Sequence, residues 1–166
     1  MKEISEQEAY LQLAALCAQA EHCRHEMTEK MHRWGLTEDV RQRVADRLVK
    51  ERYVDDERFA RAFVNDKIRY NKWGRRKVQQ ALWLKHIDDE IQKRVLDDID
   101  DETYLNVLRP LLKQKRKSLK AASDYELNQK LVRFAYGRGF TFDIIRQCLD
   151  VDEDMLTEAD DEDHDD

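Results

Sequence analysis

Four side chains near the N-terminus have the chemistry of metal ligands. Cys and His bind zinc when they recur at spacings such as Cys-x2-4-Cys or His-x3-5-His, because these spacings let four ligands surround one ion. Neither spacing is present here, and all four side chains would come from one helix and its end. They are Cys17, His22, Cys23 and His25. We therefore predict no metal site and no cofactor.

The three cysteines do not suggest a disulfide framework either. Their number is odd, and no Cys-x-x-Cys pair occurs among them. Cys17 and Cys148 fall at apolar positions of helical patterns, so we expect buried free thiols at both positions.

Asp55 and Asp56 form an adjacent carboxylate pair that could bind a metal or transfer a proton. The pair also suits the start of a helix, with Asp55 as the N-cap and Asp56 in the positive first turn. Val54 and Phe59 then occupy the two positions of a hydrophobic staple. We interpret the pair as helix capping, with Phe59, Ala62 and Phe63 on the inner face of the helix.

Other catalytic patterns are missing from the sequence. The four glycines form no Gly-rich phosphate loop, and the five histidines form no His-Glu-x-x-His pair. None of the three serines lies beside a plausible base. We expect a protein that is not an enzyme.

Binding chemistry is concentrated in residues 67–77, where six of eleven side chains are Lys or Arg. Tyr70 and Trp73 are interleaved with them, and Gly74 would expose backbone N–H groups at a helix junction. Such a segment could hold phosphates, or the acidic surface of a protein partner. A Trp beside a turn also commonly closes a small core. The predicted contact residues are Arg69, Lys72, Trp73, Arg75, Arg76 and Lys77.

A second basic run follows Leu111 and Leu112. On a helix its cations would spread around the outer surface, which makes it a weaker candidate for partner contact. The candidate residues are Lys113, Lys115, Arg116 and Lys117, with Lys120 just beyond them.

The net charge of −6 hides an asymmetry along the chain. Of the 36 acidic side chains, 11 lie in residues 150–166, which leaves 25 against 30 basic ones and about +5 for residues 1–149. The acidic segment repels itself, so we expect residues 151–166 to be a disordered tail. The tail would serve solubility, or fold back over the basic body and compete with nucleic acid or an acidic partner.

The elements that carry these residues are predicted to be helices throughout. Charged residues make up 40% of the chain, and only 4 Gly and 1 Pro are present, too few to separate many strands. No apolar run is long enough to span a membrane, and no signal segment opens the chain, so we expect a cytoplasmic protein. Pro110 should kink or split its helix. The predicted helices are 5–21, 24–34, 37–51, 56–71, 74–85, 88–98, 101–119, 124–138 and 141–150.

A junction motif recurs about every 50 residues. An apolar residue follows a helix end, a capping Thr or Asp comes next, and another apolar residue lies four positions after the first. Gly35 and Gly139 can take the left-handed conformation that ends a helix, whereas His86 must build its turn differently or accept strain. The apolar residues are Leu36 with Val40, Ile87 with Ile91, and Phe140 with Ile144. We predict an all-α fold of three tandem three-helix repeats, elongated and curved, at 1–52, 53–99 and 100–150.

Residues 53–60, Tyr-Val-Asp-Asp-Glu-Arg-Phe-Ala, resemble the signature of the RecX family. Residues 72–78, Lys-Trp-Gly-Arg-Arg-Lys-Val, follow at the family's usual distance and lead through Leu82 and Leu84 to Ile87. The resemblance is strong over 45–90, moderate over 24–51 and 125–149, and absent from the acidic tail. His86 departs from the Gly that is usual in the family, and Cys23 from its Ser-led cap. The signature residues are Tyr53, Asp55, Asp56, Phe59, Phe63, Gly74 and Ile87.

This resemblance implies a monomer that lies in the groove of a RecA–DNA filament. There it would restrain ATP hydrolysis and strand exchange, or promote loss of the filament. Its partners would be RecA and the single-stranded or duplex DNA within the filament, with no membrane involved. Two basic patches in separate repeats suit such a partner. The alternative is a direct DNA-binding module of helix-turn-helix type. Against it, residues 88–90 place three acids at the start of a third helix, where phosphates would be repelled.

Overall fold

A computed structural model describes the backbone of residues 3–165 and the side chains of residues 3–161. Every regular element in this part of the chain is a helix, which confirms the all-α fold. The helices are α1 (Glu6–Gln19), α2 (Arg24–Arg33), α3 (Glu38–Lys50), α4 (Asp56–Arg69), α5 (Arg75–Leu84), α6 (Asp89–Asp97), α7 (Asp101–Ser118), α8 (Asp124–Gly137), α9 (Phe142–Arg146) and α10 (Glu153–Asp165).

The chain forms two compact units, and their boundaries fall inside α4, α5 and α6. Unit 1 comprises Met1–Phe63 and Leu82–Val95, and unit 2 comprises Val64–Ala81 and Leu96–Asp166. The proposed division into three sequential repeats stays a prediction.

Unit 1 has an apolar core supplied by α1, α2 and α3. Each helix contributes residues at a spacing of four, which lie on one face because 3.6 residues make one turn. The pairs Met27 with Met31 and Val44 with Leu48 are buried in this way, and Leu13 packs with them.

The start of α4 is capped as predicted. The Asp55 carboxylate accepts a hydrogen bond from the Arg58 N–H at 3.0 Å. Val54 and Phe59 are buried, and the Phe59 and Phe63 rings are 5.4 Å apart. Ala62 is exposed, so its assignment to the inner face was wrong. The most deeply buried residues of α4 are Ala60, Val64 and Ile68, at a spacing of four. Ala62 lies about 200° around the helix from Ala60 and therefore faces away from them.

The three predicted junctions share one backbone geometry. Gly35, His86 and Gly139 all have positive φ, at 79°, 56° and 96°. At each, the left-handed residue donates its N–H to the carbonyl three residues back, and the next residue donates to the carbonyl five residues back. This is the Schellman motif. His86 therefore builds the same turn as the glycines and accepts the left-handed conformation.

Pro110 does not split α7, which runs unbroken from Asp101 to Ser118. Proline removes the hydrogen bond to the carbonyl four residues earlier, here that of Asn106. Both Pro110 and Asn106 are exposed, so water can satisfy the carbonyl.

Unit 2 buries Leu108, Leu131, Phe140 and Ile145. It also contains α10, which packs along α8. The expectation of disorder is therefore wrong for residues 153–161. The segment is strongly acidic, but its Met155, Leu156 and Ala159 side chains are buried. The side chains of residues 162–166 and the position of Asp166 lie outside the described part.

Among the described residues, no helix combines the length and the apolar character that crossing a membrane requires.

Candidate partner-binding surface

The basic junction, residues 67–77, joins the end of α4 to the start of α5. Gly74 donates its N–H to the Arg138 carbonyl at 2.9 Å, and Arg76 donates its N–H to the Gly139 carbonyl, also at 2.9 Å. The turn between α8 and α9 thus takes up N–H groups at the start of α5. The prediction that the Gly74 N–H is exposed for phosphates was wrong, because a long-range contact uses it.

Two glycines make this contact possible. A Cβ on Gly74 would lie 2.3 Å from the Phe140 nitrogen, and a Cβ on Gly139 would lie 2.7 Å from the Lys77 nitrogen. Backbone atoms cannot move aside as a flexible side chain can, so neither position has room for a side chain. We call this contact the glycine joint.

Arg75 and Arg76 are committed to contacts inside unit 2. The Arg75 guanidinium lies 2.9 Å from the Asp97 carboxylate and 3.3 Å from the Leu96 carbonyl. The Arg76 guanidinium stacks on the Tyr136 ring, 3.7 Å from its centroid, and donates to the Tyr136 carbonyl at 3.1 Å. Both side chains are half-buried, and their contacts position the joint.

Trp73 is half-buried between two cations. Lys67 and Lys77 place their ammonium groups 5.2 Å and 4.9 Å from its ring centroid. An indole held this way stabilises charge on both sides of the turn. Arg69 and Lys72 are exposed beside it, and the Lys72 ammonium donates to the Arg69 carbonyl at 3.0 Å. Tyr70 is 78% exposed, so the junction presents an aromatic ring with its cations.

Phe134 and Arg138 connect the second basic run to the basic junction. Lys115, on α7, places its ammonium 5.0 Å from the Phe134 ring centroid. The Arg138 guanidinium lies 5.9 Å from the same centroid and donates to the Asn71 and Lys72 carbonyls. The remaining cations of the second run, Lys113, Arg116, Lys117 and Lys120, are exposed. We call the combination of both runs and Arg138 the basic surface.

Sequence reasoning missed Phe134 and Arg138. Arg138 directly precedes Gly139, so the repeated junction motif was a signal that could have found it. Trp83 and Leu84 were also missed as exposed apolar side chains, at 65% and 61%. They follow the buried Leu82, and three consecutive helical residues cannot all face inward.

Unit 1 contains a second joint at the equivalent places. Cys23, at the start of α2, directs its thiol to the Lys85 carbonyl at 3.8 Å. His25 stacks on His86, with centroids 3.7 Å apart and planes at 13°. Lys85 bonds Glu26 at 3.3 Å. We call this contact the histidine joint.

The four candidate zinc ligands do not converge. The Cys17 thiol lies 3.8 Å from the Met27 sulfur, while Cys23 and His25 belong to the histidine joint. The structure forms no group of three potential metal-binding side chains among its described residues. Cys23 is buried, and burial raises the pKa of its thiol to about 12. Cys17 and Cys148 are half-buried free thiols.

Electrostatics differ on the two sides of the histidine joint. Burial lowers the pKa of His25, and the neighbouring His86 and Lys85 lower it further. Burial by itself would raise the pKa of Glu26, but hydrogen bonds from the Cys23 N–H and Lys85 outweigh it and hold this pKa below its usual value.

Comparisons with known proteins agree on one family. Residues 55–96 match the family model described as RecX, second three-helix domain, and residues 102–149 match RecX, third three-helix domain. A Regulatory protein RecX from Chlorobium limicola is 29% identical over 151 residues, covering 90% of this chain and 92% of the relative. One from Clostridium perfringens is 30% identical over 120 residues, covering 71% of this chain and 56% of that longer relative.

A solved structure shares the fold. The crystal structure of RecX from Lactobacillus salivarius superimposes with a TM-score of 0.76 at 20% identity, covering 93% of this chain and 96% of the other.

Replacing Gly74 with Ala should destabilise the protein by about 2–3 kcal/mol, because the new Cβ would force backbone segments apart. Gly137→Ala is the matched control, since nothing lies within 4 Å of a Cβ there and the residue is helical. The free energy of unfolding of Gly137→Ala should rise by about 0.5–1 kcal/mol at most. Urea denaturation of both variants measures the difference, and equal stabilities would contradict the glycine joint.

Lowering the pH from about 7.5 to about 5.5 should destabilise the histidine joint. A His whose pKa is lowered by folding binds its proton more readily when unfolded. The contribution of His25 to stability is therefore complete above the ordinary value of 6.5, and it is lost as the pH falls below that value and through the lower pKa of the folded protein. His25→Phe keeps a ring in place without the titration, so its unfolding free energy should depend less on pH. His32→Phe, at an exposed position of the same helix, should behave as the wild type does.

Proposed function

Because the chain belongs to the RecX family, whose named relatives are regulatory proteins, we propose that it regulates RecA by binding the RecA–DNA filament. It would lie in the filament groove and restrain ATP hydrolysis and strand exchange during DNA recombination and repair. It would act in the cytoplasm by binding alone, without catalysis and without a cofactor.

The observation that carries this proposal is the basic surface of unit 2, whose exposed cations lie on the basic junction and on α7. Arg69, Lys72 and the exposed cations of α7 carry positive charge on the outside of a body whose residues 1–149 total about +5. A RecA–DNA filament presents DNA phosphates and acidic protein side chains, and both attract such a surface. Tyr70 and Trp73 add aromatic area of the kind that anchors binding interfaces.

Regulation follows if binding distinguishes filament states. A ligand shifts an equilibrium only by the difference between its affinities for the two states. A rigid surface that fits one subunit spacing would favour that spacing and slow any step that needs another. The glycine joint supplies rigidity, because the cations of the basic junction extend from segments that its backbone hydrogen bonds hold in place.

The helix-turn-helix alternative receives no support from the third helices. A recognition helix must enter the major groove with residues that contact bases. α6 begins with exposed Asp89 and Glu90, and α9 has only 5 residues. The acidic start of α6 would be repelled by phosphates, and α9 is too short to read several base pairs.

The double substitution Arg69→Glu and Lys72→Glu should weaken binding to RecA-coated single-stranded DNA by about tenfold or more. The salt dependence of binding should also flatten, because fewer ions are released. Both side chains are exposed, so the melting temperature should stay near that of the wild type. Fluorescence anisotropy and inhibition of the RecA ATPase measure the effect.

The matched control is Lys50→Glu with Lys93→Glu, which makes the same charge change at exposed positions outside the basic surface. If the control loses as much affinity as the test variant, net charge and not the basic surface governs binding. Tighter binding to bare duplex than to RecA-coated DNA would instead favour the helix-turn-helix alternative.

A further inference from the structure

The acidic C-terminal helix begins with a pattern that also opens α4 and α7. Each start has an apolar residue, a capping Asp and two acidic residues, as in 54–57, 99–102 and 151–154. In each, the Asp accepts a hydrogen bond from the N–H three residues later, at 3.0, 3.0 and 2.9 Å. By this pattern α10 is the first helix of a further repeat.

The place of α10 is also that of a first helix. In unit 1 the start of α4 lies at the start of α2, where the Arg24 N–H donates to Asp56 at 2.8 Å. In unit 2 the start of α10 lies at the start of α8, where Tyr125 bonds Asp152 and this bond raises the pKa of Tyr125. The two contacts join equivalent elements.

Among the described residues, α10 packs on α8 through a narrow apolar stripe and polar contacts. Met155, Leu156 and Ala159 are buried at a helical spacing. Gln129 donates to Glu158 at 3.3 Å, and the Tyr136 hydroxyl donates to Asp160 at 2.6 Å. The rest of the helix is rich in acidic residues that repel one another, so the stripe supplies most of the attraction.

Tyr136 connects this acidic helix to the basic surface. Its hydroxyl donates to Asp160, while its ring lies 3.7 Å beneath the Arg76 guanidinium. One tyrosine thus contacts both an acidic side chain of α10 and a cation at the edge of the basic junction.

We propose that α10 is a displaceable autoinhibitory helix, which covers α8 and sets its carboxylates against the Arg76 side of the basic surface in competition with DNA phosphates. This inference rests on the proposed function, because α10 would regulate the same basic surface. Phosphates are the favoured competitor, since a dense run of Lys and Arg suits a regular polyanion. Binding then requires α10 to leave, and the bound polymer replaces its carboxylates.

The full-length variant Leu156→Asp tests this competition. An Asp in the apolar stripe should release α10, so the backbone amides of residues 153–161 should lose protection from hydrogen exchange. Its matched control is Thr157→Asp, which adds the same charge at an exposed position one residue away. The probe is a fluorescein-labelled oligo(dT) strand, bare and coated with RecA.

We expect Leu156→Asp to bind the bare strand about three- to tenfold more tightly than the wild type. An added negative charge by itself would weaken binding to DNA, and Thr157→Asp measures that effect alone. Thr157→Asp should keep its amide protection and bind as the wild type does, or more weakly.

Each other result overturns part of the proposal. If the amides of Leu156→Asp lose protection but its affinity for the bare strand is unchanged, α10 does not compete with DNA. If the amides stay protected, the apolar stripe around Leu156 does not hold α10 in place. If Leu156→Asp gains affinity for RecA-coated DNA only, α10 competes with an acidic protein surface and not with DNA phosphates. If Leu156→Asp binds the bare strand more tightly but neither it nor the wild type binds RecA-coated DNA, the autoinhibition by α10 is supported and the proposed function fails.

Discussion

Unit 2 depends on a backbone approach that admits no Cβ atom. The start of α5 and the turn between α8 and α9 meet through Gly74 and Gly139, and the close contact lets the turn accept hydrogen bonds from helix N–H groups. Buried polar groups need partners, so this pairing removes a cost that each segment would otherwise carry. This contact also sets the positions of the neighbouring Arg76 and Arg138 side chains, because it holds the backbone of both residues.

Unit 1 forms the same contact with different chemistry. His86 occupies the place of Gly139, and its ring stacks on His25, while the Cys23 thiol approaches a carboxyl-terminal carbonyl of α5. Side chains there fill the space that backbone atoms fill in the glycine joint. The consequence is a difference in response, since the His25 imidazole, whose pKa burial lowers, can take up a proton and a glycine cannot. One fold motif therefore has a pH-sensitive copy and a steric copy.

Charge is divided between a basic body and an acidic terminal helix. The cations of the basic junction fall into two groups, with Arg75 and Arg76 engaged in internal contacts and Arg69 and Lys72 exposed to solvent. The first group positions the surface, and the second is available to meet a partner. α10 adds negative charge beside this surface, so the acidic net charge of the chain and the basic character of its binding face are compatible.

The sequence by itself determined the helices before residue 150, their caps and the left-handed turns at Gly35 and Gly139. Such features depend on residues within about five positions of one another, as Thr37, Asp55 and Gly139 show. It could not separate Arg75 from Arg69, since only contacts with distant residues such as Asp97 decide which cations are exposed. The ordering of α10 was equally hidden, because three apolar residues become a stabilising stripe only against α8. Local hydrogen bonding is encoded locally, whereas burial and charge pairing were decided by the tertiary structure.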